Sequence, residues 1–214
     1  MAHSAQLLLK YSLLDQLQLQ LGSNNVFLAG SGLTARAFDG VIPGIKVRLN
    51  SQSTWLPTTS LSVHASLPTS GFAEAAQKTI DLSAWWYASK DFGRLHADLN
   101  VSMSVYDVTH PVPQGLTALS VSYSFGHGWG VFSELYSTFG NAQAVPLDGG
   151  SLNGLNFSPI DEVTFDLGAD VGFYRGTRVF TAFAGVTFVP FARRASPVAR
   201  LPRTPAGAIA SRPQ

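Results

Sequence analysis

The stretch VTFDLGADVGF, residues 163–173, alternates apolar residues with polar or very small ones along its whole length. Val163, Phe165 and Leu167 begin the apolar series, and Thr164 and Asp166 begin the other. A period of two residues predicts a β-strand with two unlike faces. The fold depends on which face meets the surroundings. Apolar residues turned inward are typical of a soluble protein, and apolar residues turned outward are typical of a membrane barrel.

The same alternation recurs through most of the chain and predicts about eleven strands. Leu17, Leu19 and Leu21 are separated by glutamines, for example, and no helical period competes with such runs. Several segments reach ten or more residues, about the length that a tilted strand needs to cross a bilayer. The predicted strands lie near residues 5–12, 16–22, 41–50, 59–67, 78–88, 94–105, 117–126, 129–139, 149–157, 162–173 and 177–189.

The composition favours a membrane barrel over a soluble protein. Charged residues make up 13% of the 214 residues, about half the share usual in soluble domains, while hydrophobic residues make up an ordinary 45%. The net charge of +1 gives no reason to expect nucleic-acid binding. No window approaches 18 consecutive apolar residues, so a transmembrane helix is not expected.

Connections of different length alternate along the chain. Bacterial outer-membrane barrels have this asymmetry, with short periplasmic turns and longer external loops. The turn at residues 174–176 breaks the alternation near the end. The short turns are predicted near residues 13–15, 51–55, 89–93, 126–128 and 158–161, and the longer loops near 22–40, 68–77, 106–116 and 140–148.

The N-terminus, MAHSAQLLLKYSLLDQ, lacks the charged segment, the apolar core and the cleavage site of a secretory signal. Single-chain bacterial barrels have an even number of strands with both ends in the periplasm. We therefore expect that a signal and one leading strand precede this sequence, so that about eleven of twelve strands are present. The barrel is predicted over residues 1–191, and the basic Pro/Ala/Arg-rich segment 192–214 is predicted to be a disordered tail.

Aromatic residues suggest that the apolar faces are turned outward. Phe125 and Trp129 flank one turn, Phe173 and Phe180 flank another, and the run Trp85–Tyr87 lies toward the end of its strand. Such positions are typical of the girdles at membrane interfaces, although core aromatics near hairpin ends would look the same. A barrel of eleven or twelve strands is also too wide to be filled by apolar side chains. The predicted fold is an all-β, antiparallel up-and-down transmembrane β-barrel.

Six motifs occur in order along the chain: QLLLKYSLLDQLQLQL (6–21), GIKVRL (44–49), SLPTSG (66–71), GVFSELYSTFG (130–140), FDLGADVGF (165–173) and FAGVTF (183–188). Together they resemble one known family, the phenol-degradation (MetA-pathway) outer-membrane proteins, whose members are often labelled transporters. The resemblance covers roughly residues 5–191 and implies a Gram-negative outer-membrane barrel of about twelve strands that begins one strand earlier. The family's barrel ends at a C-terminal aromatic residue, whereas Phe188 and Phe191 are followed here by the basic tail.

Charged residues on the polar faces are the candidate site residues. Rings of charge set the selectivity of a pore, but opposite charges in a lumen also pair with one another and plug it, so both roles are open. Lys46 and Glu134 lie in family-like motifs and are the expected lumen pair. Asp166 and Asp170 need a cation, which Lys46, Arg48 or a passing solute would supply. The residues predicted to line the lumen are Lys46, Arg48, Asp81, His96, Asp98, Glu134, Asp166 and Asp170.

No catalytic, cofactor or metal site is expected. His96 and Asp98 could supply two metal ligands, but nothing in the sequence marks a third. Ser102 completes a serine–histidine–aspartate set with them, yet all three lie on one predicted strand without a nucleophile elbow. The chain is therefore not predicted to be an enzyme.

Three functions fit these observations. The leading hypothesis is a Gram-negative outer-membrane barrel that lets small solutes pass, and the resemblance suggests aromatic or otherwise hydrophobic ones. The second is a non-conducting structural barrel plugged by its own lumen side chains, and the third is a soluble β-barrel that binds a lipophilic ligand. The expected partners are membrane lipid, a small-molecule solute and the outer-membrane assembly machinery, without nucleic acid.

Overall fold

A single antiparallel sheet forms the fold in the computed structural model, which describes residues 2–29, 35–36, 40–68, 79–140, 149–174 and 177–189. Eleven long strands follow one another in chain order, each paired with the next, and the two-residue strand β3 pairs with β2. The strands are β1 (Ala2–Ser12), β2 (Leu17–Ala29), β3 (Ala35–Arg36), β4 (Val41–Asn50), β5 (Thr58–Ser66), β6 (Asp81–Phe92), β7 (Leu95–Tyr106), β8 (Val112–Gly126), β9 (Trp129–Gly140), β10 (Gly149–Ile160), β11 (Val163–Tyr174) and β12 (Thr177–Phe188).

The predicted all-β, up-and-down architecture is confirmed. Within the described residues, β1 and β12 do not pair with each other, so the sheet is not closed there. The described part of the chain contains no helix long and apolar enough to span a membrane.

The predicted strands agree with the observed ones, but the expected contrast in loop length holds only in part. Strand β8 begins at Val112 and not near residue 117, because Pro113 and its neighbours continue the pairing with β7. The loop predicted over 106–116 therefore shrinks to 107–111, which is shorter than the 51–57 connection that was expected to be a short turn. The loop residues 30–34, 37–39, 69–78 and 141–148, the turn residues 175–176 and the tail 192–214 lie outside the described residues.

The turn at residues 126–128 shows how the sequence sets a hairpin. His127 and Gly128 connect β8 to β9 and have φ angles of 53° and 82°. Positive φ at both central residues is the geometry of a type I′ turn, whose twist matches that of the flanking strands. The predicted turn at this position is confirmed.

The two faces of the sheet have opposite polarity, and the polar face is the buried one. Among the described residues, the buried polar side chains outnumber the buried apolar ones by eight to three. Large apolar side chains such as Ile45, Leu135 and Leu167 are 51%, 60% and 62% exposed. Since one face of a single sheet is buried while the other is open, the sheet curves around its polar face. We call the polar face the inner face and the apolar face the outer face.

Several aromatic side chains of the outer face lie toward the strand ends. Trp129 stacks on Phe157 with 4.5 Å between ring centroids, beside the turn that joins β8 to β9. The expectation that Trp85–Tyr87 belong together at this surface is wrong for two of the three residues. Trp85 and Tyr87 are paired with Ser102 and Asn100, which place both rings on the inner face, and only Trp86 is turned outward.

Candidate functional site: the inner face

The eight predicted site residues share the inner face. Paired residues of neighbouring strands lie on the same face of a sheet, so the register can be followed from strand to strand. Lys46 is paired with Ser62, and Asp98 and Glu134 are both paired with Ser120. Ser62 and Ser120 are buried inner-face residues. Arg48, Asp81, His96, Asp166 and Asp170 follow the same register.

Lys46 binds an aromatic ring and not the carboxylate that the sequence suggested. Its Nζ lies 3.8 Å from the centroid of the Tyr87 ring, and the Tyr87 hydroxyl lies 3.1 Å from Ser62 Oγ. Trp85 stacks beside Tyr87 with 6.1 Å between centroids. A cation over an aromatic face is attracted by the negative π-surface. The expected Lys46–Glu134 ion pair is therefore wrong, because Lys46 is engaged two strands away from β4, on β6.

His96 joins two carboxylates at the β6–β7 hairpin. Its Nδ1 contacts the Asp91 carboxylate, and its Nε2 lies 3.0 Å from Asp98 Oδ2. Asp98 also accepts a hydrogen bond from the Ser89 hydroxyl. Two acids around one imidazole form a charge-assisted network that holds the hairpin together. The structural pairing that the sequence left open is thus present at His96 and Asp98.

Asp81 anchors the connection between β7 and β8. Its Oδ1 accepts a hydrogen bond of 2.8 Å from the backbone N–H of Asp107, a residue with a positive φ of 51°. The Asp107 carboxylate in turn accepts hydrogen bonds from the hydroxyl and the backbone N–H of Thr109. These bonds lower the pKa of Asp107, and the Thr109 hydroxyl makes the largest contribution.

Asp170 is held by a tyrosine that the sequence did not single out. The Tyr136 hydroxyl lies 3.0 Å from both carboxylate oxygens of Asp170 and donates its proton to them. Tyr136 is on β9 and Asp170 is on β11, so the ring crosses β10 to reach its partner. Glycines make the crossing possible, since a Cβ at Gly150 or Gly172 would lie 2.7 or 2.6 Å from the Tyr136 hydroxyl oxygen.

Three of the predicted residues have no side-chain partner among the described residues. Glu134 is 9% exposed and makes no hydrogen bond or ion pair there, and the same absence of bonds holds for Arg48 and Asp166. Asn156 lies next to Asp166 in the register, and both polar atoms of its side chain are buried without a partner in this part of the chain. We call the inner face of β4–β7 the first half and that of β9–β12 the second half. The second half therefore contains polar groups that the described residues do not satisfy.

Two phenylalanines cover glycines on the same half. Phe132 lies over Gly154 and Phe183 lies over Gly168, since a Cβ at either glycine would be 2.5 Å from the Cζ of the ring above it. The two ring centroids are 6.3 Å apart. The rings come from β9 and β12 and together fill the space above β10 and β11.

The sequence contained part of the signal for the residues that were missed. Tyr87, Phe132 and Tyr136 occupy polar-face positions of their alternating runs, so their inward direction follows from parity. Their partners depend on side chains reaching across one or two strands, which strand periodicity does not contain. In the described residues, no three His, Asp or Glu side chains lie close enough together to hold a metal ion.

Comparison with known proteins did not add an assignment. No model of a known protein family matches this chain, and no curated protein matches it either. The resemblance to the phenol-degradation outer-membrane proteins stays a prediction.

Proposed function

We propose that this chain forms an outer-membrane β-barrel that lets small solutes cross the membrane. The observation that carries the proposal is the reversed polarity of the sheet, with buried polar residues on the inner face and exposed apolar residues on the outer face. Lipid favours an apolar surface, whereas water does not. The assignment to the Gram-negative outer membrane and to aromatic or hydrophobic solutes rests on the family resemblance alone.

The strand lengths support a membrane-spanning sheet. The eleven long strands contain between nine and fifteen residues, and a tilted strand needs about nine to eleven to cross the hydrocarbon layer. Exposed aromatic residues near the strand ends suit the membrane interfaces. They are Phe92, Phe125, Trp129 and Phe188 near one end of the sheet, and Phe139, Phe173 and Phe180 near the other.

Passage of solutes is supported by the polar groups that lack partners among the described residues. A plug built for stability would pair its charges, because an unpaired buried charge is costly. Glu134, Asp166 and Asn156 are instead left with bonding capacity that a solute or water could use. Acceptors directed at a lumen are what a pore needs to guide polar or charged solutes.

A non-conducting barrel is the second candidate, because bulky side chains also fill part of the inner face. Phe132, Phe183 and Leu152 cover the second half, and Trp85 and Tyr87 cover the first. The soluble alternative, a barrel with a lipophilic ligand inside, gains no support from the polarity of the two faces. It would require apolar residues on the buried side.

Current through planar bilayers tests passage directly. The full chain is folded in detergent and added to a bilayer in concentrated KCl. It is expected to produce discrete conductance steps. Heat-denatured protein in the same detergent is the control. Membrane insertion without any step at any voltage would favour the plugged barrel.

A charge on the outer face tests the orientation of the sheet. Leu167 lies near the middle of β11 and is 62% exposed, and Leu167→Lys would put an ammonium group into the hydrocarbon layer at a cost of about 2–4 kcal/mol. Trp55→Lys is the matched control, because Trp55 is 89% exposed in the 51–57 connection. Urea titrations in lipid vesicles are expected to show a much lower midpoint for Leu167→Lys only. Equal midpoints would contradict a lipid-facing outer face.

A further inference from the structure

A line of acidic residues crosses the inner face from β7 to β11. The pairings run from Asp98 to Ser120, from Ser120 to Glu134, from Glu134 to Leu152 and from Leu152 to Asp170. Asp98, Glu134 and Asp170 therefore occupy one row on every second strand, from β7 through β9 to β11. Alternate strands are about 10 Å apart. We call these three residues the acid row.

The middle member of the acid row is buried without compensation by the described residues. Glu134 is 9% exposed and has no hydrogen bond or ion pair with any of them. Asp98 and Asp170 are near enough for their charges to repel its carboxylate. A buried carboxylate flanked by two others is unfavourable unless a positive charge lies nearby.

A second, neutral group beside the acid row also lacks a partner. Ser122 is the next inner-face residue after Ser120 on β8, and it is 2% exposed. Its hydroxyl is buried and makes no hydrogen bond within the described part of the chain. A hydroxyl oxygen can accept from an ammonium or from the water of a hydrated cation.

Asp98 has a cationic neighbour, because His96 Nε2 lies 3.0 Å from Asp98 Oδ2, whereas Glu134 and Asp170 have none within ion-pair distance among the described residues. Lys46 and Arg48 are on β4, and Lys46 Nζ is engaged by the Tyr87 ring. Among the described residues neither side chain forms an ion pair with Glu134 or Asp170. The row is also too widely spaced to chelate a bare metal ion, since no group of three acidic or histidine side chains in the described residues could hold one.

We propose that the acid row Asp98–Glu134–Asp170 is a binding and selectivity element for positively charged small solutes, either hydrated inorganic cations or organic ammonium compounds. Carboxylates that line a pore concentrate cations and repel anions. The inference rests on the proposed function and narrows it, because it specifies the charge of the solute that passes most readily.

Reversal potentials across a KCl gradient test the selectivity. The wild-type pore is expected to reverse toward the potassium equilibrium potential, and Glu134→Gln is expected to lower the potassium-to-chloride permeability ratio at least twofold. Asp107→Asn is the matched control, because it removes a carboxylate outside the strands and should leave the ratio unchanged. Replacing potassium by tetramethylammonium on one side distinguishes organic from inorganic cations. A wild-type pore that reverses at zero or toward chloride would overturn the inference and leave passage itself intact.

A thiol probe tests the acid row even if no current flows. The chain has no cysteine, and Thr181 is exposed and paired with Asp170, so Thr181→Cys places one thiol at the end of the row. A trimethylammonium methanethiosulfonate should react with it faster, relative to the sulfonate reagent, than with Trp55→Cys. The double substitution Glu134→Gln/Asp170→Asn should reduce that preference at least twofold. A retained preference without any current would support the cation site and reject passage, whereas equal ratios at both thiols would overturn the inference.

Discussion

The two halves of the inner face, β4–β7 and β9–β12, differ in how many of their charged side chains are bound by other side chains. In the first half, Lys46 is bound by the Tyr87 ring and His96 joins Asp91 to Asp98. In the second half, Asp170 is held by Tyr136, while Glu134 and Asp166 have no partner among the described residues. Apart from Arg48, which makes no side-chain bond to a described residue, the first half thus has the interactions expected of a stabilising wall, and the second keeps bonding capacity for something that is not part of the described chain. If this contrast is correct, replacing His96 in the first half should lower stability, whereas neutralising Glu134 in the second half should raise it.

The largest loss of stability is expected at His96. His96→Leu removes the donor shared by Asp91 and Asp98 and leaves the two carboxylates without it, which should cost about 1.5–3 kcal/mol. His110→Leu is the matched control, because the His110 side chain is 87% exposed in the β7–β8 connection. Urea unfolding in vesicles, followed by tryptophan fluorescence, should separate the two variants. Equal midpoints would mean that the His96 network does not stabilise the first half.

The fold was largely predictable because its cause is local. Alternation of the kind seen at residues 163–173 recurs in most of the long strands, and the turn at 126–128 has a glycine at one of its two central positive-φ positions. Strand ends were less predictable. Pro113, which reads as a loop residue in the sequence, lies inside β8 opposite Val105, since pairing with β7 outweighs its own preference.

The sequence predicted on which face of the sheet the site residues lie, but not which side chains contact one another. Parity placed Lys46 and Glu134 on the inner face, but whether they meet depends on strands that are far apart in the sheet. Tyr87 intervenes as the partner of Lys46, and Tyr136 crosses a glycine on β10 to become the partner of Asp170. Such contacts depend on the size of side chains on intervening strands, so a list of charged residues cannot reveal them.

The next largest loss of stability is expected at Gly172, where the Tyr136 ring passes over the backbone to reach Asp170. Gly172→Ala would place a Cβ 2.6 Å from the Tyr136 hydroxyl oxygen, while the next nearest atom lies at 3.4 Å. Displacing the ring should cost about 1–3 kcal/mol. In a Tyr136→Phe background the obstacle is gone, so the same glycine substitution should cost clearly less.

Gly22→Ala is the matched control for that cycle. A Cβ at Gly22, also on an inner-face position, would meet nothing nearer than 3.6 Å, which is ordinary contact. Its unfolding midpoint should stay close to that of the wild type. Strictly additive costs for Gly172→Ala and Tyr136→Phe would show that the Tyr136 hydroxyl does not lie over Gly172. The hydrogen bond from Tyr136 to Asp170 would then be in doubt as well.

Glu134→Gln should raise the free energy of unfolding, whereas the substitutions at His96 and Gly172 should lower it. Glu134→Gln keeps the shape of the side chain and removes a buried charge that has no partner in the described residues, so unfolding should become harder by about 1 kcal/mol. The same variant is expected to lose cation preference in the bilayer experiment, which would make the acid row a place where stability is sacrificed for function. A lower midpoint for Glu134→Gln would instead mean that the carboxylate is paired in the folded protein, and the contrast between the two halves would disappear.

The smallest effect is expected outside both halves, at Asp107, and it depends on pH. Hydrogen bonds from Thr109 lower the pKa of Asp107 in the folded protein below its ordinary value of 3.8. A lowered pKa means that the ionised form stabilises the fold at pH values above 3.8 and that this contribution is lost as the pH falls through the folded-state pKa. The urea midpoint of Asp107→Asn should therefore lie below that of the wild type near neutral pH and converge with it in acid. Thr109→Val should reproduce the difference, because it removes the largest cause of the shift. A constant difference between wild type and Asp107→Asn at every pH would mean that the asparagine acts through shape and not through charge. The inner-face comparison would then be unaffected, because among the described inner-face residues Asp107 bonds only to Asp81, through its backbone N–H.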